Sequence, residues 1–202
     1  MKILRMYPTS INDRYLDEVV DTLRRGGLII YPTDTVYAIG CDALNSRAIE
    51  KVCRIKGLNP DKNTLSIIAA DMSMAAEYAR IDNKAFHLLK DNLPGPFTFI
   101  LPAATTLPKA FKGRHTVGVR IPDNAIATAI ARELDNPILS TSIMPDADGN
   151  YPVDPQAIAL EVPSEIDLVI DGGEGSSEVS TVVDATDPTA PEILRQGAGE
   201  LQ

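Results

Sequence analysis

Hydroxyl and cationic side chains recur in this sequence where apolar runs end. Thr33, Asp34 and Thr35 follow the run Leu28 to Pro32, and Lys56 and Lys62 bracket a Gly-Leu-Asn-Pro turn. Arg120 ends Thr-Val-Gly-Val-Arg, Ser140 and Ser142 end Pro-Ile-Leu-Ser-Thr-Ser, Ser180 opens Ser-Thr-Val-Val-Asp, and Arg195 follows Glu-Ile-Leu. Each alone has a structural account, because hydroxyls cap helices and turns and single cations sit on solvated faces. Gathered in one concavity, they would bind a carboxylate or polyphosphate, since fixed dipoles and charge replace water around anionic oxygens. An open α/β sheet offers its ligand crevice at the strand ends, where these residues fall.

Other chemistries find no pattern. No Gly-x-Gly-x-x-Gly follows a strand, no Walker lysine loop occurs, and no local motif suggests a Ser-His-Asp set. Cys41 and Cys53 form no CxxC pair and His87 and His115 no chelating pattern, so we read the thiols as packed and reduced and expect no structural zinc. For His87 the expectation is a ring stacked on a helix face.

The elements that must position the set can be read from periodicity. Asn12 to Arg25 carries Leu16, Val19, Val20 and Leu23 at helical spacing and stops at Gly26-Gly27, after which Leu28 to Tyr31 reads as a strand. Helices are expected over Ser46 to Ile55, after Asp71, over Asn83 to Asn92, from about Asn124 to Leu134, and after the Asp154-Pro155 cap. Strands are expected at Leu65 to Ala70, Phe97 to Leu101, Thr116 to Ile121, Pro137 to Ser142, Leu168 to Ile170, Thr181 to Asp184 and Glu192 to Leu194. The early strands are continuous apolar runs, which suits a sheet covered by helices on both faces. The class is α/β, and the irregular connections after Pro94 point to a mixed sheet.

The 202 residues, 44% of them hydrophobic, suffice for one domain with a sizeable core. A charged fraction of 23% is a globular value, no apolar stretch can span a bilayer, and Pro8 interrupts any signal-like start, so a cytoplasmic location is expected. The net charge of -9 would repel a phosphate backbone overall and weighs against a general nucleic-acid binder.

The order of motifs resembles that of the YrdC-like family. Tyr31 to Gly40 reads YPTDTVYAIG against the family's YPTDTVYGLG, and IKGLNPDKN (Ile55 to Asn63) stands in place of its Lys-x-Arg loop. PGPFTFIL, TVGVRIPDN, STSIM, STVVD and ILRQGA follow in the family's order, over nearly the whole chain. The resemblance implies a single YrdC-like domain over 1–202, without the extra C-terminal domain of longer relatives. It implies a twisted mixed sheet flanked by helices and enclosing a large cavity. It also implies synthesis of threonylcarbamoyl-adenylate from L-threonine, bicarbonate and ATP with release of pyrophosphate, a nucleotidyltransferase reaction serving tRNA modification. On that pattern Thr33, Arg120, Ser140 and Ser180 would hold threonine. Lys56, Lys62, Thr116, Ser142 and Arg195 would face the nucleotide, with Lys56, Lys62, Arg195 and Mg²⁺ offsetting phosphate charge.

The sequence departs from the family in the proposed site. Leu58 stands at the arginine of Lys-x-Arg, Met144 at the asparagine of Ser-x-Asn, and Ser66-Ile67-Ile68 where the family has a histidine. A lost charge-assisted hydrogen bond to phosphate costs roughly 1.5–3 kcal/mol, so weak or altered activity is expected. These departures resemble those of the YciO branch. Arg54 is a candidate substitute for the missing arginine, its alternative being a solvent-facing helix residue. Three readings stay open: an enzyme of synthase type, a module that binds double-stranded RNA, tRNA or a nucleotide without turnover, and a site for another anionic metabolite.

Overall fold

The structure is a computed structural model, and it describes residues 1–59, 65–104 and 115–202. In chain order it contains β1 (Lys2–Arg5), α1 (Asp13–Arg24), β2 (Ile29–Tyr31), β3 (Ala38–Asp42), α2 (Ser46–Lys56), β4 (Ser66–Ile68), α3 (Met72–Tyr78) and α4 (Asn83–Asn92). Then come β5 (Phe97–Pro102), β6 (Thr116–Arg120), α5 (Ala125–Leu134), β7 (Ile138–Ser142), α6 (Pro155–Glu161), β8 (Leu168–Asp171), β9 (Thr181–Asp184) and β10 (Glu192–Arg195). The strands form one sheet in the order β1-β8-β2-β3-β7-β4-β6-β5-β9-β10. It is mixed, as expected: β4 pairs parallel with β6 and antiparallel with β7.

The helices begin where a side chain can take up an orphan amide. Asn12, Asn45, Asp71, Asp82, Asn124 and Asp154 each accept a hydrogen bond from the first turn of α1 to α6 in order. Alternation along the strands divides the core. Ile30 and Ile39 join one apolar cluster with α2 residues Ile49 and Val52, while Ile29, Tyr31 and Ala38 join a second with α1 and α5 residues such as Leu23 and Ile130. Both faces of the sheet are therefore covered, which accounts for the continuous apolar runs. Cys41 and Cys53 are buried, and burial pushes the Cys41 thiol up, away from reactivity. His87 meets Phe86 edge-on at 6.0 Å.

Two strands escaped the sequence reading. β1 pairs with β8 at one edge of the sheet and buries only Leu4 of its four side chains, so pattern alone gives little signal. β3 begins in the last three residues of YPTDTVYAIG and runs on to Asp42, and the polar start of the motif masks its buried Ala-Ile-Gly-Cys run.

Candidate functional site

A row of small residues crosses the centre of the sheet. Gly40 on β3 pairs with Ser140 on β7, Ser140 with Ser66 on β4, and Ser66 with Gly118 on β6. Side chains in register on neighbouring strands share a face, so four consecutive strands carry nothing larger than a hydroxymethyl group along this line. Both glycines are required by space. A Cβ on Gly118 would lie 2.5 Å from Ser66 Oγ, and one on Gly40 would lie 2.6 Å from the Tyr31 ring.

A hollow of about 230 Å³ is lined by Ser66 and Ser140 of this row, with Thr98, Arg120, Ser142, Ser180 and Arg195 among its other polar lining residues. Val36, Val52, Leu58, Leu65, Ile100 and Leu139 give it apolar walls. No carboxylate lines it among the described residues, and its charged lining groups are the guanidiniums of Arg120 and Arg195.

Arg120 is held from behind. Its Nη2 donates to Asp34 Oδ1 and Thr35 Oγ1, both at 3.0 Å, and Asp34 Oδ2 accepts from the Asp123 amide. The pair is nearly buried, at 10% and 9% side-chain exposure, which makes it rigid and costly to break. Arg120 Nε has no hydrogen-bond partner, an unusual state for a buried donor and one that a bound acceptor would relieve. Thr33 does not line the hollow; it organises the residues that do. Its hydroxyl donates to Val36 O and accepts from the Thr35 amide, so the Thr35 hydroxyl turns its own proton toward Thr33.

On the opposite side, Arg195 Nη2 donates to Ser180 O at 2.7 Å and to Ser180 Oγ at 3.3 Å, and Ser180 Oγ lies 2.9 Å from Thr98 Oγ1. Burial lowers the Arg195 pKa and the charge of Arg120 acts in the same direction, although an arginine stays protonated. The loop before Ser180 is tied down by Tyr37, whose hydroxyl donates to Gly173 O and accepts from Gly172 N. Burial pushes the Tyr37 phenol up to about 12.

The structure thus brings Arg120, Ser140, Ser142, Ser180 and Arg195 to one hollow. Lys56 sits half-buried at the end of α2, its Nζ donating to Ile143 O beside Ser142 rather than lining the hollow. Thr116 starts β6 opposite Pro102 and also lies off the hollow, and Lys62 falls outside the described residues. Leu58 lines the wall at the position of the family's arginine, Met144 is exposed, and Arg54 is an exposed residue of α2 that does not line the hollow. Sequence reasoning marked Ser66 only as standing where the family has a histidine and passed over Thr98, so neither was foreseen as a lining hydroxyl. The available signal was the pair of mid-strand glycines, which mark close approach.

Among the described residues no helix is long and apolar enough to cross a membrane. The family model described as telomere recombination, that of Sua5, YciO and YrdC, matches residues 21–197. The uncharacterized protein YciO of Escherichia coli is 37% identical over 199 residues, covering 98% of this chain and 96% of the relative. Its crystal structure superposes with a TM-score of 0.91 at 36% identity, over 99% of this chain and 97% of the other. A threonylcarbamoyl-AMP synthase of Coxiella burnetii is 31% identical over 191 residues, 94% of this chain and 98% of the relative. The structure of Pyrococcus abyssi Sua5 complexed with L-threonine matches with a TM-score of 0.85 at 31% identity, over 96% of this chain and 57% of the longer protein. With its mixed sheet, its motifs in order and these matches, the chain belongs to the Sua5/YciO/YrdC family, on its YciO branch.

Proposed function

We propose that the hollow binds L-threonine and that the protein catalyses threonylcarbamoyl-AMP synthesis, from threonine, bicarbonate and MgATP, for tRNA modification. The observation that carries this reading is the gathering of Arg120, Arg195 and the hydroxyls of Ser66, Ser140, Ser142 and Ser180 on one hollow without a lining carboxylate among the described residues. Its volume of about 230 Å³ falls below the ~300–1,000 Å³ of sites for drug-sized ligands and suits a molecule of amino-acid size. Threonine would sit inside with its carboxylate toward Arg120, and the nucleotide would lie toward Arg195 and Lys56. The threonine amine condenses with bicarbonate to a carbamate and water, a carbamate oxygen attacks the α-phosphorus, and pyrophosphate leaves with the electrons of the broken P–O bond. Catalysis is then chiefly positioning and charge neutralisation. Mg²⁺ in this scheme arrives on the nucleotide phosphates.

The test is pyrophosphate release. It should require threonine and bicarbonate together and fall to background in Arg195→Ala. Release that ignores either substrate, or equals that of the variant, overturns the synthase reading. Leu58 on the wall, in place of a cation that would offset transition-state charge, supports a second reading in which the site holds a nucleotide or an RNA with one phosphate contact fewer and without turnover. That reading expects binding that weakens steeply with salt and with Arg195→Ala, and no pyrophosphate.

A further inference from the structure

We propose that Tyr31 is a positioning residue for the hollow: by donating its buried hydroxyl to Ser140 Oγ, it leaves the Ser140 proton for the bound ligand and fixes Ser140 as a donor to an anionic oxygen. The proposal rests on the hollow being the substrate site, and deepens that reading by assigning the direction of one hydrogen bond.

A hydroxyl has one proton and two lone pairs, so its neighbours decide what it can offer. Tyr31 is fully buried, and its Oη donates to Ser140 Oγ at 2.6 Å, at the short end for an O–H···O bond. Burial raises the phenol pKa, so the proton stays on the tyrosine at every ordinary pH. Ser140, having accepted, keeps its own proton, and Ser140 lines the hollow. Thr35 on the same hollow is wired the opposite way: its proton turns toward Thr33, and its remaining lone-pair capacity is shared with the Arg120 guanidinium. The two hydroxyls therefore present opposite polarity, and the difference lies in their neighbours.

The donor direction agrees with the rest of the hollow. Arg120 Nε, a buried donor without a partner, belongs to a residue of the same lining, and Arg195 supplies further N–H groups. A carboxylate or phosphate oxygen satisfies such a set, whereas a ligand cation or amide N–H would not. Gly40 is part of the device, since a Cβ there would displace the Tyr31 ring that carries the hydroxyl. A merely structural pair would bury the tyrosine hydroxyl just as well but would leave ligand affinity untouched.

The test is a double-mutant cycle read by calorimetry with L-threonine as the probe. Tyr31→Phe keeps the ring, and its melting curve verifies the fold. Each of Tyr31→Phe and Ser140→Ala is expected to weaken threonine by roughly three- to tenfold, the scale of one hydrogen bond, and the double variant no further than Ser140→Ala alone. Losses that multiply in the double variant, or an unchanged affinity in Tyr31→Phe, overturn the proposal. The tyrosine doublet in the ultraviolet Raman difference between the unaltered protein and Tyr31→Phe supplies a readout without ligand. A donor signature is expected and an acceptor signature overturns the wiring. If the unaltered protein binds no threonine while the doublet reports a donor, the substrate reading fails and the Tyr31 to Ser140 wiring stands.

Discussion

The inner wall of the hollow and its mouth are built by opposite rules. On the inner wall, Arg120 is clamped by Asp34 and Thr35, Asp34 is held in turn by the Asp123 amide, and Tyr31 fixes Ser140. At the mouth, on the α2 side, Leu58 adds only apolar surface to the lining, Lys56 lies off the lining with a backbone carbonyl for a partner, and Met144 is exposed. Arg120, Ser140 and the Asp34-Thr35 pair, which match the family's motifs, lie on the clamped wall; of the departures, Leu58 and Met144 lie at the mouth, while Ser66, where the family has a histidine, lines the hollow itself. Removing one member of a clamped polar network strands its partners in low dielectric, whereas a residue at a solvated rim can change at little cost to the fold. Leu58 and Met144 therefore make the mouth the place where altered chemistry is expected.

The comparison is broken most forcefully at Arg120. Arg120→Leu leaves Asp34 as an uncompensated buried charge, and we expect a loss of about 3 kcal/mol in urea unfolding together with loss of threonine binding. A stability within about 0.5 kcal/mol of the parent would show that the inner wall is no more constrained than the surface. At the mouth, Leu58→Arg sharpens the contrast. It should leave the unfolding midpoint nearly unchanged and tighten MgATP by roughly tenfold in calorimetry, the equivalent of one added charge-assisted hydrogen bond. Equal nucleotide affinity in the two proteins would remove Leu58 as the reason for altered activity.

The smallest effect concerns Lys56. Burial lowers its pKa from the ordinary 10.5, so between the lowered folded value and 10.5 the unfolded chain binds the extra proton and stability rises with pH. Below that window the folded protein carries the full cost of a half-buried ammonium. Lys56→Met should accordingly melt slightly higher at neutral pH, with the gap narrowing as the pH approaches 10.5. A gap that stays constant with pH would show that the lysine is solvated in the folded protein, like the rest of the mouth.

Much of this architecture was legible in the residues. Apolar periodicity places α1, α4 and α5 within a residue or two, and Asp71 and Asp154 declare their helices because a capping side chain is a local device. The strands at Thr181–Asp184 and Ile138–Ser142 stand out for the same reason, being short apolar runs bounded by polar turns. β1 did not, since an edge strand with mostly exposed side chains carries little burial pattern. Among the site residues, the roster of hydroxyls and cations was readable, but the distinction between Ser140, which faces the hollow, and Thr33, which supports it from behind, was not. Both are hydroxyls after an apolar run, and only the hydrogen-bond partners separate them.

The sequence alone determined the class of fold, the helix starts and the inventory of groups able to hold an anion, because periodicity, caps and side-chain chemistry act within a few residues. The tertiary structure decided which of those groups share one hollow. Residues 40, 66, 118 and 140 become neighbours only through the pairing of β3, β7, β4 and β6. Strand pairing sets adjacency at about 4.8 Å whatever the distance along the chain, and no local pattern encodes that register.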